Sequence, residues 1–439
     1  MSSELKWCII GSGMLGMTLA MRLIQEGHKV TLLESSGGSG GLAAPWQMDG
    51  ISWDRFYHVI LMSDLHTRKI LQEIGLENDM RWVETKTGFY SGGKLHSMSN
   101  LFEFFRFPPI NMFGKLRLGL TIYDASRRND WKRLERSTVT DWLVRRSGRK
   151  VFDKIWYPLL KAKLGDDASI NVTSAAFIWS TIRRMNAARR SGLKKEMFGY
   201  VTGGYERIIS RFTGHLEDMG AEFRYNSRVT SVKKNGDGKL GVGLQDGTTE
   251  IYDRVISTIP SGLSVPIAEG LADWERQLNM NIRYLGVICP ALLLKKPVSP
   301  YYITNITDNG HPFTGIIEMT GLIDKKEVKG YNLVYLPRYV DPSDPLFDET
   351  DENIKEIFLG GLLKMHPHIS VNDVAFFGVS KARNVFALPT VNYSASLPGI
   401  RTSLENYFIV NSAQIVNGTL NVNETIQVAE DKLTEILNG

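Results

Sequence analysis

The residues whose types and spacing could do chemistry begin almost at the amino terminus. Gly11-Ser12-Gly13-Met14-Leu15-Gly16 lies between an apolar run, Lys6 to Ile10, and a segment in which Leu15, Leu19 and Leu23 recur every four residues. The run suits a buried parallel strand, and the recurrence suits a helix packed on a sheet. In that setting the first glycine permits a tight turn and the second lets backbone approach a pyrophosphate. The third lets the helix sit close on the strand. A diphosphate would then rest on the helix N-terminus, where free N–H groups and the dipole favour anions. Gly27 closes the helix, and Lys29 to Leu33 form a second strand ending in Glu34. An acid at that place is suited to accept hydrogen bonds from ribose hydroxyls.

A second glycine cluster follows directly, Ser35-Ser36-Gly37-Gly38-Ser39-Gly40-Gly41-Leu42-Ala43-Ala44. It would bring backbone against the cofactor again, which a nicotinamide site does not usually need. The plainer reading of Gly37 to Gly41 is a flexible linker, which is poorly placed here. These residues resemble the second glycine motif of FAD enzymes akin to amine oxidases, protoporphyrinogen oxidases and phytoene desaturases. The resemblance continues through Asp49-Gly50 and Asp54-Arg55-Phe56-Tyr57-His58, where that family brings its chain past the flavin ring.

The resemblance covers nearly the whole chain. Tyr200-Val201-Thr202-Gly203-Gly204 resembles the family's return to the FAD domain, and Arg228-Val229 the strand whose backbone meets adenine. Asn406 to Gln414, then Gly418 to Asn423-Glu424-Thr425, resembles the C-terminal flavin segment. It implies cofactor contacts by Asn411, Ser412, Asn423, Glu424 and Thr425, with a helix start aimed at the N1/O2 side of the flavin. Asn411-Ser412 departs from the family pattern, standing where many members have glycine followed by an acid. Stretches from Lys295-Lys296-Pro297 to Ala387-Leu388-Pro389 resemble a bacterial branch related to protoporphyrinogen oxidase.

The family implies noncovalent FAD and an oxidoreductase that takes hydride from a C–N or C–C bond. A flavin carries that redox chemistry itself, so the protein must position substrate and exclude water. His58 is the candidate acid/base, with a hydrogen-bonded structural histidine as the plainer reading. Lys296 is the candidate to hold a water near N5, as a lysine does in some amine oxidases; its plainer reading is an exposed turn. Two other classes stay open. One is a flavin-dependent sugar-nucleotide mutase resembling UDP-galactopyranose mutase, suggested by the Phe56-Tyr57-His58 segment. The other is a non-catalytic flavin-binding protein.

Charge is unevenly spread. Between Lys115 and Lys195 lie 20 Lys and Arg against 7 Asp and Glu, a local +13, whereas the whole chain carries +5. Arg183, Arg184, Arg189 and Arg190 cluster there with Lys194 and Lys195, just after the aromatic-rich Leu101 to Phe113. Aromatics beside cations suit capture of a lipid-like or phosphorylated small molecule, or peripheral docking on anionic lipid. No nucleic-acid module accompanies the charge.

The elements that must position these residues form an α/β chain. Helices are expected over Thr67–Leu76, Thr138–Ser147, Ser174–Arg190, Tyr205–Met219 and from Asn423, with strands through Ala221–Pro260, Ile282–Leu294, Thr314–Tyr339 and Tyr407–Val410. The expected fold is a Rossmann-like, glutathione-reductase-like FAD domain from residues 1–95, 205–270 and 400–439. A mixed α+β substrate domain of 96–204 and 271–399 is interleaved with it. Cys8 and Cys289, each in an apolar run, read as buried hydrophobes rather than a disulfide or metal site, which fits a cytoplasmic setting. No signal peptide or membrane span is read. The oligomeric state is open.

Overall fold

The computed structural model describes residues 4–98, 101–188 and 197–438. Five short strands make one parallel sheet: β1 (Lys6–Ile10), β2 (Lys29–Leu33), β3 (Glu222–Arg224), β4 (Arg254–Ser257) and β5 (Tyr407–Ile409), in the order β3-β2-β1-β4-β5. Ile9 faces Leu32 on one side and Ile256 on the other. After their leading lysines, β1 and β2 are buried throughout, as parallel strands covered on both faces must be. Three helices clothe the sheet: α1 (Met14–Gln25), α2 (Gly204–Asp218) and α3 (Val422–Leu437). Arg22 of α1 ties two layers together, reaching Glu73 and Glu430 at 2.6 Å each. The strands of this sheet come from residues 6–33, 222–257 and 407–409.

The second half is built on an eight-stranded sheet whose long central strand, Tyr284–Leu294, is buried along its whole length. Thr87–Ser91 and Lys94–Ser97 belong to this sheet, because Thr87 to Tyr90 pair with Ile303 to Ile306. The first passage between the two halves thus precedes residue 87, not the expected 95. Helices Met112–Arg127, Val139–Ser147, Tyr157–Leu164 and Ala175–Ala188 accompany the sheet. The first of these spans residues over which no element was expected, because apolar residues occupy its outer face as well as its inner one. Among the described residues no helix is long and apolar enough to cross a membrane.

Candidate functional site

The two glycine clusters meet at the carboxyl edge of the parallel sheet. Gly13 and Gly40 form an isolated parallel bridge, and Gly40 N–H donates to the Ser12 carbonyl at 2.9 Å. Packing within the chain explains two of the glycines. Gly11 has φ of 100°, and a Cβ on Gly16 would stand 2.1 Å from the Gly11 carbonyl oxygen. Gly13 is different. It caps α1 with an ordinary φ of −71°, and the nearest atom to a Cβ there would be Gly41 Cα at 3.9 Å. The fold has no steric reason for glycine at 13, but an anion on the helix N-terminus does. The cradle thus fits a dinucleotide.

Glu34 stands between the two clusters. One carboxylate oxygen accepts from Ser12 N–H at 2.9 Å, and the other from Ser36 N–H and Ser36 Oγ at 2.9 Å each. Ser35 Oγ lies 3.4 Å from the second oxygen. The segment leading to Val229 runs alongside, with Asn226 N–H donating to the Ser36 carbonyl and Ser227 N–H to the Glu34 carbonyl. The glycine loops, Glu34 and Val229 are therefore brought together. Leu42 and Ala43 sit in the 3-10 turn Gly41–Ala43 that follows.

The chain then makes the hairpin Pro45–Met48 and Ile51–Asp54, turned by Asp49 and Gly50 at φ 50° and 70°. Asp54 emerges 1% exposed, and its Oδ1 accepts from Tyr205 N–H at 2.9 Å, capping the start of α2. Its backbone carbonyl accepts from the Tyr335 hydroxyl. Burial pushes the Asp54 carboxyl up to about 7, against the lowering effect of the Tyr205 N–H. His58 lies beside it, its ring 4.9 Å from that of Tyr205, and burial holds its imidazole down at about 4. Its Nδ1 is buried with no hydrogen-bond partner. A small cavity of about 10 Å³ adjoins both, walled by Trp53, Tyr200, Gly204 and Met319.

At the C-terminal segment, Asn411 is 1% exposed and its side chain is committed to protein partners. Its Nδ2 donates to the Ile259 carbonyl at 3.0 Å and Ser261 Oγ at 3.1 Å, and its Oδ1 accepts from Ala413 N–H at 2.9 Å. Ser412 opens the turn Ser412–Gln414. Asn423 likewise accepts from His66 and Thr67 N–H groups at 2.9 and 3.2 Å, capping the helix Leu65–Glu73. Asn421 caps α3 by accepting from Glu424 N–H, and Thr425 Oγ donates to the Asn421 carbonyl.

Two sequence expectations need correction. Lys296 is half exposed and pairs with Asp373 at 3.2 Å. It lies past the Leu294 end of the central strand, whereas Tyr284 at the opposite end contacts Ser261 and Asn411. Ten extended steps, about 33 Å, separate those ends. Arg184 is not a surface cation, because its guanidinium grips the buried Asp64 carboxylate at 2.8 and 3.2 Å. A buried carboxylate needs such a partner. Arg183 is exposed and stacks on Trp179 at 5.3 Å. Arg189, Arg190, Lys194 and Lys195 lie outside the described residues.

One group went unnoticed in the sequence. Lys163 Nζ donates to the Tyr339 hydroxyl at 2.9 Å, and that hydroxyl is 3.3 Å from the hydroxyl of Tyr57. Lys161-Ala162-Lys163 reads locally as a solvated helix face, so no sequence signal singles out Lys163.

Comparison with known proteins agrees with this geometry. A family described as flavin containing amine oxidoreductase matches residues 15–403. The 15-cis-phytoene desaturase of Capsicum annuum is 24% identical over 280 residues, 59% of this chain and 47% of that one. The chain therefore spans about half the length of the curated relatives it matches. A protein of Exiguobacterium sp. 255-15 that carries the provisional name protoporphyrinogen oxidase superposes with TM-score 0.76 at 18% identity, covering all of both chains. Reduced UDP-galactopyranose mutase superposes with TM-score 0.73 at 14% identity, over 99% of this chain and 94% of that one. At such identities the structural likeness speaks to the fold.

Proposed function

This chain belongs to the flavin-containing amine oxidoreductase family, and from that premise we propose an FAD-dependent oxidoreductase acting on a C–N or C–C bond of an apolar, lipid-like or phosphorylated substrate. The observation that carries the reading is Gly13, a glycine the fold itself does not require, bridged to the second glycine loop at the head of α1. When bound, the flavin supplies the hydride acceptor. The chain's own part is to hold and shield it. Gly11 to Gly16 and Gly40 to Ala43 offer backbone to the diphosphate and ring. Glu34, already poised between the loops, receives the ribose hydroxyls, with Val229 near the adenine. Asn411 and Asn423 act by fixing the backbone of Ser412 and of Glu424-Thr425, since their own side chains are engaged elsewhere. His58, neutral above about pH 4 and unpartnered at Nδ1, is suited to hold a proton beside the ring. Both thiols are buried and desolvation raises them, which suits noncovalent attachment.

An absorption spectrum of the purified protein tests the premise: flavin bands that survive gel filtration and leave the protein on acid or heat release support it. A colourless protein that takes up no added FAD overturns it. Substrate-dependent bleaching without added reductant supports net oxidation. Turnover only after dithionite reduction would replace it with the mutase-like isomerisation, and a flavin that never changes redox state with any metabolite with a binding protein.

For the partner surface, the supporting observation is the helix Met112–Arg127. Phe113, Leu116, Leu120 and Tyr123 are exposed by 66, 60, 58 and 54% and follow one helical face. Arg127 stacks on Tyr123, and the exposed Arg145, Arg146 and Arg149 lie on the next elements. An apolar stripe edged by cations matches an anionic bilayer surface, with phenylalanine and leucine entering the acyl boundary.

A further inference from the structure

Two interior guanidinium groups in this protein have carboxylates, whereas buried Lys115 donates to the Phe105 carbonyl. Arg22 has Glu73 and Glu430, and Arg184 has Asp64. Lys163 is half-buried, yet among the described residues no carboxylate pairs with it. Its contacts are the Tyr339 hydroxyl at 2.9 Å, the Tyr339 ring at 4.2 Å and the Phe386 ring at 5.8 Å. Aromatic faces and one phenol attract an ammonium without neutralising it. The group keeps two of its three N–H donors for another partner. A cation held in partly desolvated surroundings without a counter-ion is poised for an anion.

Its position gives the anion a context. Tyr339 passes the contact to Tyr57 at 3.3 Å, and Tyr57 rests on Tyr335 with ring centroids 6.2 Å apart. Tyr57 belongs to the Asp54–His58 segment that the proposed function sets beside the flavin. Its phenol is held well above the ordinary range by burial and by Tyr339, yet the residue keeps accessible surface. Apolar and aromatic walls with a single unneutralised cation suit a molecule with an apolar body and one anionic end.

We propose that Lys163, held by Tyr339 and followed by Tyr57, is the anion-recognising end of the substrate cavity, so that the substrate carries a carboxylate or phosphate there. The inference rests on the proposed flavin position, and the experiment separates the two. Protein holding FAD is titrated with dodecanoate, dodecyl phosphate, dodecanol and dodecylamine, reading the visible flavin bands, and in parallel by calorimetry. At least one anion is expected to bind, with Kd about tenfold to a hundredfold weaker in Lys163→Met, the range for a hydrogen bond to a charged group. Lys163→Arg should recover most of that loss, and Tyr339→Phe should fall between. Dodecanol should be indifferent to the substitution. Whichever anion binds more tightly identifies the headgroup. Equal anion binding by wild type and Lys163→Met overturns the proposal. So does dodecylamine binding as tightly as the anions, or no anion binding at all. A protein that never holds flavin overturns the cofactor reading instead, and calorimetry with the same ligands still decides the role of Lys163.

Discussion

Nδ1 of His58 lies 3.7 Å from Oδ2 of Asp54, beyond hydrogen-bonding distance, with Asp54 buried at the start of α2 and the His58 side chain 18% exposed beside it. Burial acts on them in opposite senses. The acid is raised to about 7 and the base lowered to about 4, so near pH 5 to 6 both are neutral.

Their contributions to the pH dependence of stability should therefore oppose each other and nearly cancel between about pH 4 and 6.5. An unfolded chain releases the Asp54 proton near the ordinary carboxyl value of 3.8, whereas the folded protein retains it to about 7. As pH rises through that interval the unfolded state gains, by about 4 kcal/mol at most. For His58 the order reverses. The unfolded imidazole takes a proton near 6.5 and the folded one only near 4, so stability is lost as pH falls, by about 3 kcal/mol at most. Thermal unfolding midpoints across pH 4 to 8, roughly this interval, check the cancellation. Asp54→Asn should uncover the His58 contribution, so that stability rises with pH over that range, less steeply than His58 alone would give because burial also raises Glu318 to about 7. His58→Gln should do the reverse, leaving stability to fall as pH rises toward about 7. Unchanged profiles in both variants would remove the assignment.

Gly13→Ala should leave the unliganded protein as stable as wild type, within about 0.5 kcal/mol. Its Cβ meets nothing closer than 3.9 Å, and its φ of −71° suits any residue. FAD retention through gel filtration should nevertheless fall markedly. Gly16→Ala is the contrast, since a Cβ 2.1 Å from the Gly11 carbonyl oxygen must disturb the fold with or without cofactor. Wild-type retention by Gly13→Ala would show that no ligand approaches there.

What could be read from sequence was what is local. The strand, glycine turn, helix and second strand of residues 6–34 lie within one continuous stretch, so apolar period and glycine spacing are enough to identify them. The relationships that build the site are distant. Asp54 caps a helix 151 residues away, Arg184 meets Asp64 across 120 residues, and Lys163 meets Tyr339 across 176. Arg184 looked like a solvated cation because nothing near it in sequence announces a buried acid. Asn411 and Asn423 were expected to touch the cofactor, but their side chains turn toward Ile259, Ser261, His66 and Thr67, partners that only the folded chain supplies.

Arg183 and Arg184 are neighbours with different expected phenotypes. Arg184→Met strands the buried Asp64 carboxylate and should lower stability by about 3 kcal/mol, read from denaturant midpoints. Arg183 stacks on Trp179 at the surface, so Arg183→Met should change stability by less than about 0.5 kcal/mol. Equal effects would mean that the Asp64 contact does not persist in solution.

The stripe on Met112–Arg127 makes the last expectation specific to sequence position. Vesicles of phosphatidylserine and phosphatidylcholine should sediment the protein at low salt and release it as salt rises, because the cationic margin acts through a screened field. Leu116→Asp with Leu120→Asp should abolish sedimentation. Both residues are about 60% exposed, so removing their side chains should leave the folded core intact. The reason lies in packing: Leu118, Thr121 and Ala125 of the same helix face inward and do the structural work. Leu118→Asp should therefore unfold the region, while the outer pair should not alter the melting curve. Arg145→Ala with Arg146→Ala should weaken binding and flatten its salt dependence while leaving the apolar contact in place. Sedimentation that survives the double aspartate variant, or that is equal on phosphatidylcholine alone, would exclude this face as the docking surface.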